Sequence, residues 1–209
     1  MSFTLSEVDV SDAENIARYV QVPAMQTCRS QKDEVIRWYA DMLEDAFQDR
    51  WESFLKACSA DGTPIGFCGW TIFERTRECQ VEANNGQASE RAKQERRKKE
   101  TWVPEAIDTD GWITLSKALR TERDRVLKDL DKICRLTFMA VAPSYQRQGI
   151  GSMMMQLICE ETDRQRRYAY CARAPEGVRL YTRFGFEIAG HVEAPQGTIA
   201  SMLRPSRQP

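Results

Sequence analysis

Apolar and polar residues recur in the first part of the chain with the two periods that distinguish strands from helices. Residues 3–10 alternate, and two β-prone runs flank Ala60-Asp61-Gly62-Thr63, a sequence typical of a hairpin turn. The predicted elements are a strand over residues 3–10, a helix capped by Ser11-Asp12 that runs to Tyr19 or Val20, a helix over residues 31–47, and strands over residues 51–58 and 64–73.

This pattern is interrupted after Phe73. Residues 74–100 hold almost no large apolar side chain, and residues 91–99 carry six basic residues against one acid. Such a run is typical of a nuclear-localisation or polyanion-binding patch. It is also typical of a solvated insertion whose charge is neutralised by flanking acids, and we favour this second interpretation.

A Trp-bearing loop at residues 102–112 and a helix from Thr114 or Ser116 to about Lys132 are predicted to follow. We therefore expect one domain over residues 1–209, with a charged and helical insertion at about residues 75–133 between the third and fourth strands. The apolar stripe of the inserted helix would be Leu119, Val126, Leu127, Leu130 and Ile133.

A strand followed by a glycine-rich turn and a helix comes next. Residues 136–141 are apolar and β-prone, Pro143 ends the run, and Gly149 and Gly151 open an amphipathic helix that begins near Ile150. Unpaired N–H groups and the dipole at a helix start favour an anion such as a phosphate, and glycine allows it a close approach. On spacing alone, an ordinary turn before a core helix explains the pattern equally well.

The six residues Gln146-Arg147-Gln148-Gly149-Ile150-Gly151 match the Q/R-x-x-G-x-G/A signature of the GNAT superfamily of N-acetyltransferases. The match includes the strand before the signature and the helix after it. Residues 172–187 then resemble the second half of the family, in which a strand, a short helix bearing Leu-Tyr and a Gly-Phe turn follow in order. The resemblance is strongest over residues 134–190 and weaker over residues 1–74.

The resemblance implies an α/β (α+β) GNAT fold: a mixed, mostly antiparallel sheet of six or seven strands, splayed at strands 4 and 5, with helices on both faces. It implies an N-acetyltransferase that passes the acetyl group of its co-substrate acetyl-CoA directly to a primary amine. The implied donor-binding residues are Met139, Ala140 and Val141 along the pantetheine arm, with the Val141 N–H as oxyanion donor, and Gln146, Arg147, Gln148, Gly149, Ile150, Gly151 and Ser152 around the pyrophosphate.

Tyr181 stands where the family often places a tyrosine that faces the departing sulfur, so the resemblance makes it the general acid. A phenol with a pKa of ~10 can protonate a thiolate and is itself neutral at pH 7. A tyrosine that merely packs on a short helix is the alternative.

Two departures from the family pattern leave a second function open, a non-catalytic acyl-CoA-binding or interaction module. The strand at residues 136–141 holds no acid, and Ala174 replaces an asparagine that in many members contacts the pantetheine arm. The general base is therefore unassigned. A chain of water molecules could act as the base, or no base is needed if the amine arrives neutral. The acids that could serve as the base are Glu74, Asp110, Asp131 and Glu187.

Composition narrows the class of protein. The net charge of -1 argues against a nucleic-acid-binding protein, and no apolar run approaches the ~20 residues of a membrane span. Seven cysteines without a C-x-x-C pair and the absence of a secretory signal favour the cytoplasm, with a nuclear location open through residues 91–99. With His191 as the only histidine we expect no metal site.

The expected partner is an acceptor amine, which is either a small molecule or a peptide. Either a monomer or a homodimer is compatible with the sequence.

Overall fold

The computed structural model describes residues 3–20, 32–48, 52–74, 102–105, 107–195 and 197–206. The strands are β1 Thr4–Glu7, β2 Glu52–Cys58, β3 Pro64–Glu74, β4 Lys132–Val141, β5 Tyr168–Arg173, β6 Glu187–Ala194 and β7 Gly197–Arg204. The α-helices are α1 Ala13–Tyr19, α2 Lys32–Gln48, α3 Thr109–Val126, α4 Ile150–Arg164 and α5 Pro175–Arg183, with short 3₁₀ turns at Val10–Asp12 and Pro143–Tyr145.

The strands form one seven-stranded sheet in the order β1-β2-β3-β4-β5-β7-β6. Every neighbouring pair is antiparallel except β4 and β5, which are parallel. The mixed, mostly antiparallel sheet implied by the family resemblance is therefore confirmed.

The parallel pair separates soon after it forms. Ile133, Cys134 and Arg135 of β4 pair with residues 168–170 of β5, and the pairing ends there. From that point β4 stays paired only with β3, and β5 only with β7. The sheet is thus splayed between β4 and β5, as implied, and the two strands expose facing backbone edges.

Two apolar clusters cover the two faces of the sheet. On one face α1 and α2 pack over Phe67, with Phe54 and Phe138 at the edge of the cluster. On the other face α4 and α5 bury the largest cluster, which includes Ile150, Met154 and Tyr181. A third, smaller cluster joins the end of α3 to the first residues of β4 and β5. Helices therefore lie on both faces, as implied.

Arg204 at the end of β7 fixes the two helices of the second face. Its guanidinium group donates two hydrogen bonds to the Asp163 carboxylate near the end of α4, at 2.8 and 2.6 Å, and a third to the Phe184 carbonyl just after α5. Arg204 is 3% exposed, so this paired charge is held inside the protein. The bonds set the positions of α4 and α5 relative to the sheet.

The structure differs from the predicted elements at two helix starts. Asp12 is the N-cap residue of α1, as predicted, but its carboxylate accepts the Asp9 N–H in a preceding 3₁₀ turn and makes no capping bond to α1 itself. The helix α3 begins at Thr109 rather than at Thr114 or Ser116, and it ends at Val126 rather than near Lys132. Asp108 explains the earlier start, because its carboxylate accepts the Gly111 N–H at 2.9 Å.

The predicted insertion is described only in its second part. Residues 75–101, which include the basic run at 91–99, lie outside the described residues. In the described part of the chain, no helix is long and apolar enough to span a bilayer. Within those same residues, no three His, Cys, Asp or Glu side chains come together as metal ligands would.

Gly66 gives a direct test of how closely α4 lies on the sheet. A β-carbon on Gly66 would come within 2.8 Å of Ile150 Cγ2 and 3.2 Å of Ala57 Cβ. We expect Gly66→Ala to lower the free energy of unfolding by about 1–3 kcal/mol, because overpacking forces the helix away from β3. Urea denaturation measures the change.

Gly177→Ala is the matched control. The added β-carbon would meet its nearest neighbours only at 3.7 Å or more, and alanine favours the helical conformation of α5. This variant should be as stable as the wild type or more stable. Equal unfolding curves for Gly66→Ala and the wild type would contradict the close contact.

Candidate active site

A loop closes between the end of β4 and the start of α4. After the turn Pro143–Tyr145, the Gln146 side-chain amide donates to the Val141 carbonyl at 3.0 Å, and the Gln148 amide donates to the Ser144 carbonyl at 3.1 Å. Both glutamines therefore fold back onto the segment that precedes them. The loop is fixed by its own hydrogen bonds.

Two residues of this loop have left-handed backbone conformations. Arg147 has φ 63° and Gly149 has φ 90°. Such a conformation costs a non-glycine residue roughly 1–2 kcal/mol, so Arg147 is held in place by the loop around it. Strain of this kind is typical of a functional loop.

The helix α4 starts directly after Gly149, which is its N-cap and supplies no side-chain hydrogen bond. The first N–H groups of a helix have no partner within the helix, so they remain available to a ligand. Ile150 is buried against the core and anchors the first turn, whereas Ser152 is half-buried. This helix start can bind an anion through its backbone.

The two glycines of the signature have different roles. No atom lies within 4 Å of the place where a β-carbon on Gly149 would stand, so the positive φ is what requires glycine there. A β-carbon on Gly151 would instead lie 3.3 Å from Leu180 Cδ2. Gly151 therefore lets α4 approach α5 closely.

The end of β4 presents backbone groups to the gap that opens between β4 and β5 after Arg135, which we call the splay. Ala142 donates its N–H to the Ile65 carbonyl of the β3 side at 2.8 Å. Because successive residues of a strand point their N–H groups to opposite edges, the Val141 N–H points away from β3 and into the splay. Met139, two residues earlier, has the same orientation, and Ala140 between them directs its N–H toward β3.

Tyr181 lies on α5 at the base of the splay and is 1% exposed. Its ring packs edge-on against Phe186, with ring centroids 5.4 Å apart. Cys171 of β5 and Cys68 of β3 belong to the same buried cluster as Tyr181, on the face of the sheet that α4 and α5 cover. The hydroxyl binds Arg173, which lies beyond the last β5 residue that pairs with β4, so it lies on the β5 side of the gap.

The hydroxyl of Tyr181 has a charged partner. Arg173, the last residue of β5, donates a hydrogen bond from Nε to the phenol oxygen at 2.6 Å, and its Cζ lies 5.1 Å from the centre of the Tyr181 ring. Burial raises the pKa of Tyr181 to about 12, and the Arg173 guanidinium opposes that rise. Tyr181 is therefore a neutral phenol at pH 7, with its proton available to donate.

The candidate bases lie away from this site. Glu74 pairs with Lys132 in the sheet register, so it stands at the opposite end of β4 from Val141, and its carboxylate binds Arg167 at 2.7 Å. Asp131 directly precedes β4 at that same end. Asp110 and Glu187 are exposed, in the first turn of α3 and at the start of β6. The splay therefore brings none of these four acids to Tyr181.

The structure also places the single histidine of the sequence and Cys171. His191 is exposed on β6. Cys171 is fully buried on β5, and burial raises the pKa of its thiol to about 12, so it is a protonated core side chain. The five described cysteines, which exclude Cys28 and Cys79, are buried and form no disulfide with one another.

Arg173 is the residue that sequence reasoning missed. A signal for it exists, because alternation along β5 places Ala169, Cys171 and Arg173 on one face of the strand. Ala169 and Cys171 are both buried in the cluster under α4. A charged residue that continues a buried face is a candidate functional residue.

Residues 98–188 match the family model described as an acetyltransferase (GNAT) domain. The matched span contains β4, the loop at residues 146–149, the start of α4, and both Arg173 and Tyr181. This match supports the resemblance to the GNAT superfamily over the part of the chain that holds the signature.

Solved structures share the fold over nearly the whole chain. Arylalkylamine N-acetyltransferase 2 of Aedes aegypti aligns with a TM-score of 0.64 and 12% identity, over 99% of this chain and 100% of that chain. Polyamine N-acetyltransferase of Drosophila melanogaster aligns with a TM-score of 0.58 and 10% identity, over 98% and 100%. A phosphinothricin acetyltransferase of Sinorhizobium meliloti, solved with AcCoA, aligns with a TM-score of 0.51 and 13% identity, over 99% and 89%. No curated protein matches the chain.

The buried phenol predicts a loss of stability in alkali. An unfolded tyrosine loses its proton near pH ~10, whereas Tyr181 in the folded protein keeps its proton up to a pKa of about 12. The folded state binds more protons in that window, so the free energy of unfolding falls as the pH rises through it. This one group should contribute up to about 1.4 kcal/mol per pH unit.

Urea denaturation of the wild type and of Tyr181→Phe, at several pH values across this window, measures the contribution. The variant should lose stability less steeply. Parallel slopes for the two proteins would show that the phenol ionises as easily in the folded state as in the unfolded state.

Proposed function

We propose that this protein transfers the acetyl group of acetyl-CoA directly to a primary amine. The observation that carries the proposal is the position of the splay. The free edge of β4 runs from the anion-binding start of α4 to the phenol of Tyr181. An extended donor with a phosphate at one end and a thioester at the other fits these groups.

The start of α4 and the loop before it would hold the pyrophosphate of the donor. The backbone N–H groups of residues 149–152 and the helix dipole favour an anion there. The side chains of Gln146, Arg147 and Gln148 are exposed, so the guanidinium of Arg147 can add a positive charge at the rim of the site.

The free edge of β4 would hold the pantetheine arm. An unpaired strand edge binds an extended chain through its N–H and C=O groups, much as it would bind another strand. The Val141 N–H points into the splay and is our candidate donor to the oxyanion that forms on the thioester carbonyl. The Val141 carbonyl is already bound by Gln146, which leaves the N–H as the free group.

Tyr181 would act as the general acid. Acyl transfer to an amine expels a thiolate, and a neutral phenol beside the sulfur can protonate it. The raised pKa of Tyr181 keeps the proton on the phenol at pH 7. The amine itself must arrive neutral or lose its proton to water, because none of the four candidate acids lies at the splay.

The acceptor is a primary amine, free or on a peptide. Structures with this fold include an arylalkylamine N-acetyltransferase and a polyamine N-acetyltransferase, which makes both kinds of amine candidates here. We place the protein in the cytoplasm, where its buried thiols stay reduced, as a monomer or a homodimer.

A non-catalytic acyl-CoA-binding module is the second candidate. It is favoured by Ala174, which precedes α5 and offers no side-chain hydrogen bond, and by the distance of the candidate acids from the splay. The two functions differ in one measurement, the release of free thiol from acetyl-CoA when an amine is added.

The decisive experiment mixes the purified protein with acetyl-CoA and a panel of arylalkylamines, polyamines, lysine and a short peptide, and follows thiol release. We expect release with at least one class of amine. Binding of acetyl-CoA by calorimetry without release for any amine would instead establish the binding module.

Tyr181→Phe should lower turnover with the best amine by roughly a hundred- to ten-thousandfold, the range of general acid–base effects. The affinity for acetyl-CoA should change little, because the phenyl ring keeps its packing against Phe186. Turnover equal to that of the wild type would remove Tyr181 from the mechanism.

Gly149→Ala tests the anion-binding loop. We expect weaker binding of acetyl-CoA, since alanine resists φ 90° and the first N–H groups of α4 would be displaced. The cost in folding stability should be roughly 1–2 kcal/mol. Calorimetry measures the affinity and urea denaturation the stability.

Gly62→Ala is the matched control for backbone strain. Gly62 has φ 84° with no atom near the added β-carbon, and it lies in the turn between β2 and β3. This variant should lose similar stability and bind acetyl-CoA as the wild type does. Equal affinity in both variants would exclude the loop from donor binding.

A further inference from the structure

We propose that Arg173 is a second functional side chain of the acyl-donor site. One of its N–H groups holds Tyr181, and another stabilises the departing thiolate. The inference rests on the proposed function and deepens it, because it assigns the buried cation beside the general acid. Nothing in the GNAT signature at residues 146–151 predicts an arginine at this place.

Arg173 interacts with Tyr181 and Cys171 and leaves a further donor unused. Its Nε binds the Tyr181 oxygen at 2.6 Å, and its side chain also contacts Cys171. Its Nη2 is buried and has no hydrogen-bond partner among the described residues. The planar fork of the guanidinium places that free N–H group near the phenol.

Arg173 is half-buried as a whole, but its Nη2 is fully buried. A cation with a buried donor normally has an anion beside it, and Arg173 has only neutral neighbours. The groups that raise its pKa are Tyr181 and Cys171, while burial itself acts to lower it. Burial raises the pKa of Cys171, and likewise that of Cys68, to about 12. In the described part of the chain, no carboxylate takes part in this cluster.

The missing anion belongs in the splay. Arg173 lies past the last residue of β5 that pairs with β4, and its own pairing is with Ala200 of β7. It is therefore at the widening end of the gap, on the same side as Tyr181. The pyrophosphate would be held at the start of α4, so the negative charge that develops beside Tyr181 is that of the leaving sulfur.

In the acyl-transfer step, the amine nitrogen forms a bond to the acyl carbon, the carbon–sulfur bond breaks, and its electron pair goes to sulfur. The sulfur then takes the proton of Tyr181, the phenolate takes a proton from water, and the acylated nitrogen gives its extra proton to water. Arg173 stabilises the two transient anions, the thiolate through Nη2 and the phenolate through Nε.

The same charge should act on the product. A cation beside the sulfur favours the thiolate form, so free CoA bound to the protein should have a lower thiol pKa than CoA in solution. The ultraviolet absorbance of the thiolate, followed against pH with CoA bound to excess protein, measures this pKa. A purely structural arginine would leave it unchanged.

Three variants separate the roles. Arg173→Gln and Arg173→Met remove the charge and should return the bound thiol to the pKa of free CoA, with a roughly ten- to thousandfold loss of kcat and a smaller change in KM. Tyr181→Phe keeps the charge, so the bound thiol should stay shifted although kcat falls. Arg179→Met removes an exposed arginine of the same helix as Tyr181 and should change neither quantity.

The folding of the variants is a further readout. Replacing a buried charge that has no anionic partner is expected to leave the melting temperature unchanged or to raise it. If neither neutral variant folds, the wild type alone decides, because its bound thiol must still titrate below free CoA. An unshifted thiol in the wild type, or the same shift in a folded neutral variant, would overturn the role of Arg173.

Failure of the inference and failure of the proposed function have different signatures. A wild-type protein that binds neither CoA nor acetyl-CoA would overturn the proposed function. A wild-type protein that binds CoA and acetylates an amine, but leaves the bound thiol unshifted, would overturn only the assignment of Arg173.

Discussion

The early end of the pairing between β4 and β5 is the constraint on which the rest of the site depends. Backbone N–H and C=O groups inside a protein need partners. Where the two strands separate after Arg135, β4 keeps one satisfied edge on β3 and presents the other to the gap. In the proposed function, an extended polar ligand would complete that edge in the way that a further strand does.

The splay also explains why a tyrosine and an arginine can be buried side by side under α4 and α5. Had β4 and β5 remained paired, their shared edge would have closed the space above Tyr181. Because they separate, Tyr181 reaches the gap from α5 and Arg173 reaches it from β5. Arg204, which binds both Asp163 and the Phe184 carbonyl, holds the two helices in the positions that this requires.

Much of this arrangement could be predicted from the sequence, because its signals are local. The strands of the β2–β3 hairpin, the end of β4 and the start of α4 each follow from apolar spacing and from a turn or glycine at a fixed place. The family resemblance supplied what spacing could not, namely the mixed character of the sheet and its splay at strands 4 and 5. Both depend on contacts between residues far apart in the chain.

The parts that sequence reasoning missed depend on tertiary contacts. The stripe assigned to the inserted helix included Leu127 and Ile133, yet both are buried outside α3, the second in β4. Apolar residues at a helix–strand boundary fit either period, so spacing alone could not place the boundary. Arg173 was overlooked for a similar reason, since a charged residue at a strand end is usually exposed.

The site divides its work between backbone and side chains. Donor binding would use N–H groups of α4 and β4, which any residue type except proline can supply, so the loop can tolerate exposed glutamines and an arginine. The chemical step would instead use two side chains, Tyr181 and Arg173, that no backbone group could replace. The position after Arg173 is Ala174, where many GNAT sequences have an asparagine. An arginine one residue earlier, with an unused donor at the widening end of the splay, offers the donor site a polar contact from this strand that alanine cannot make.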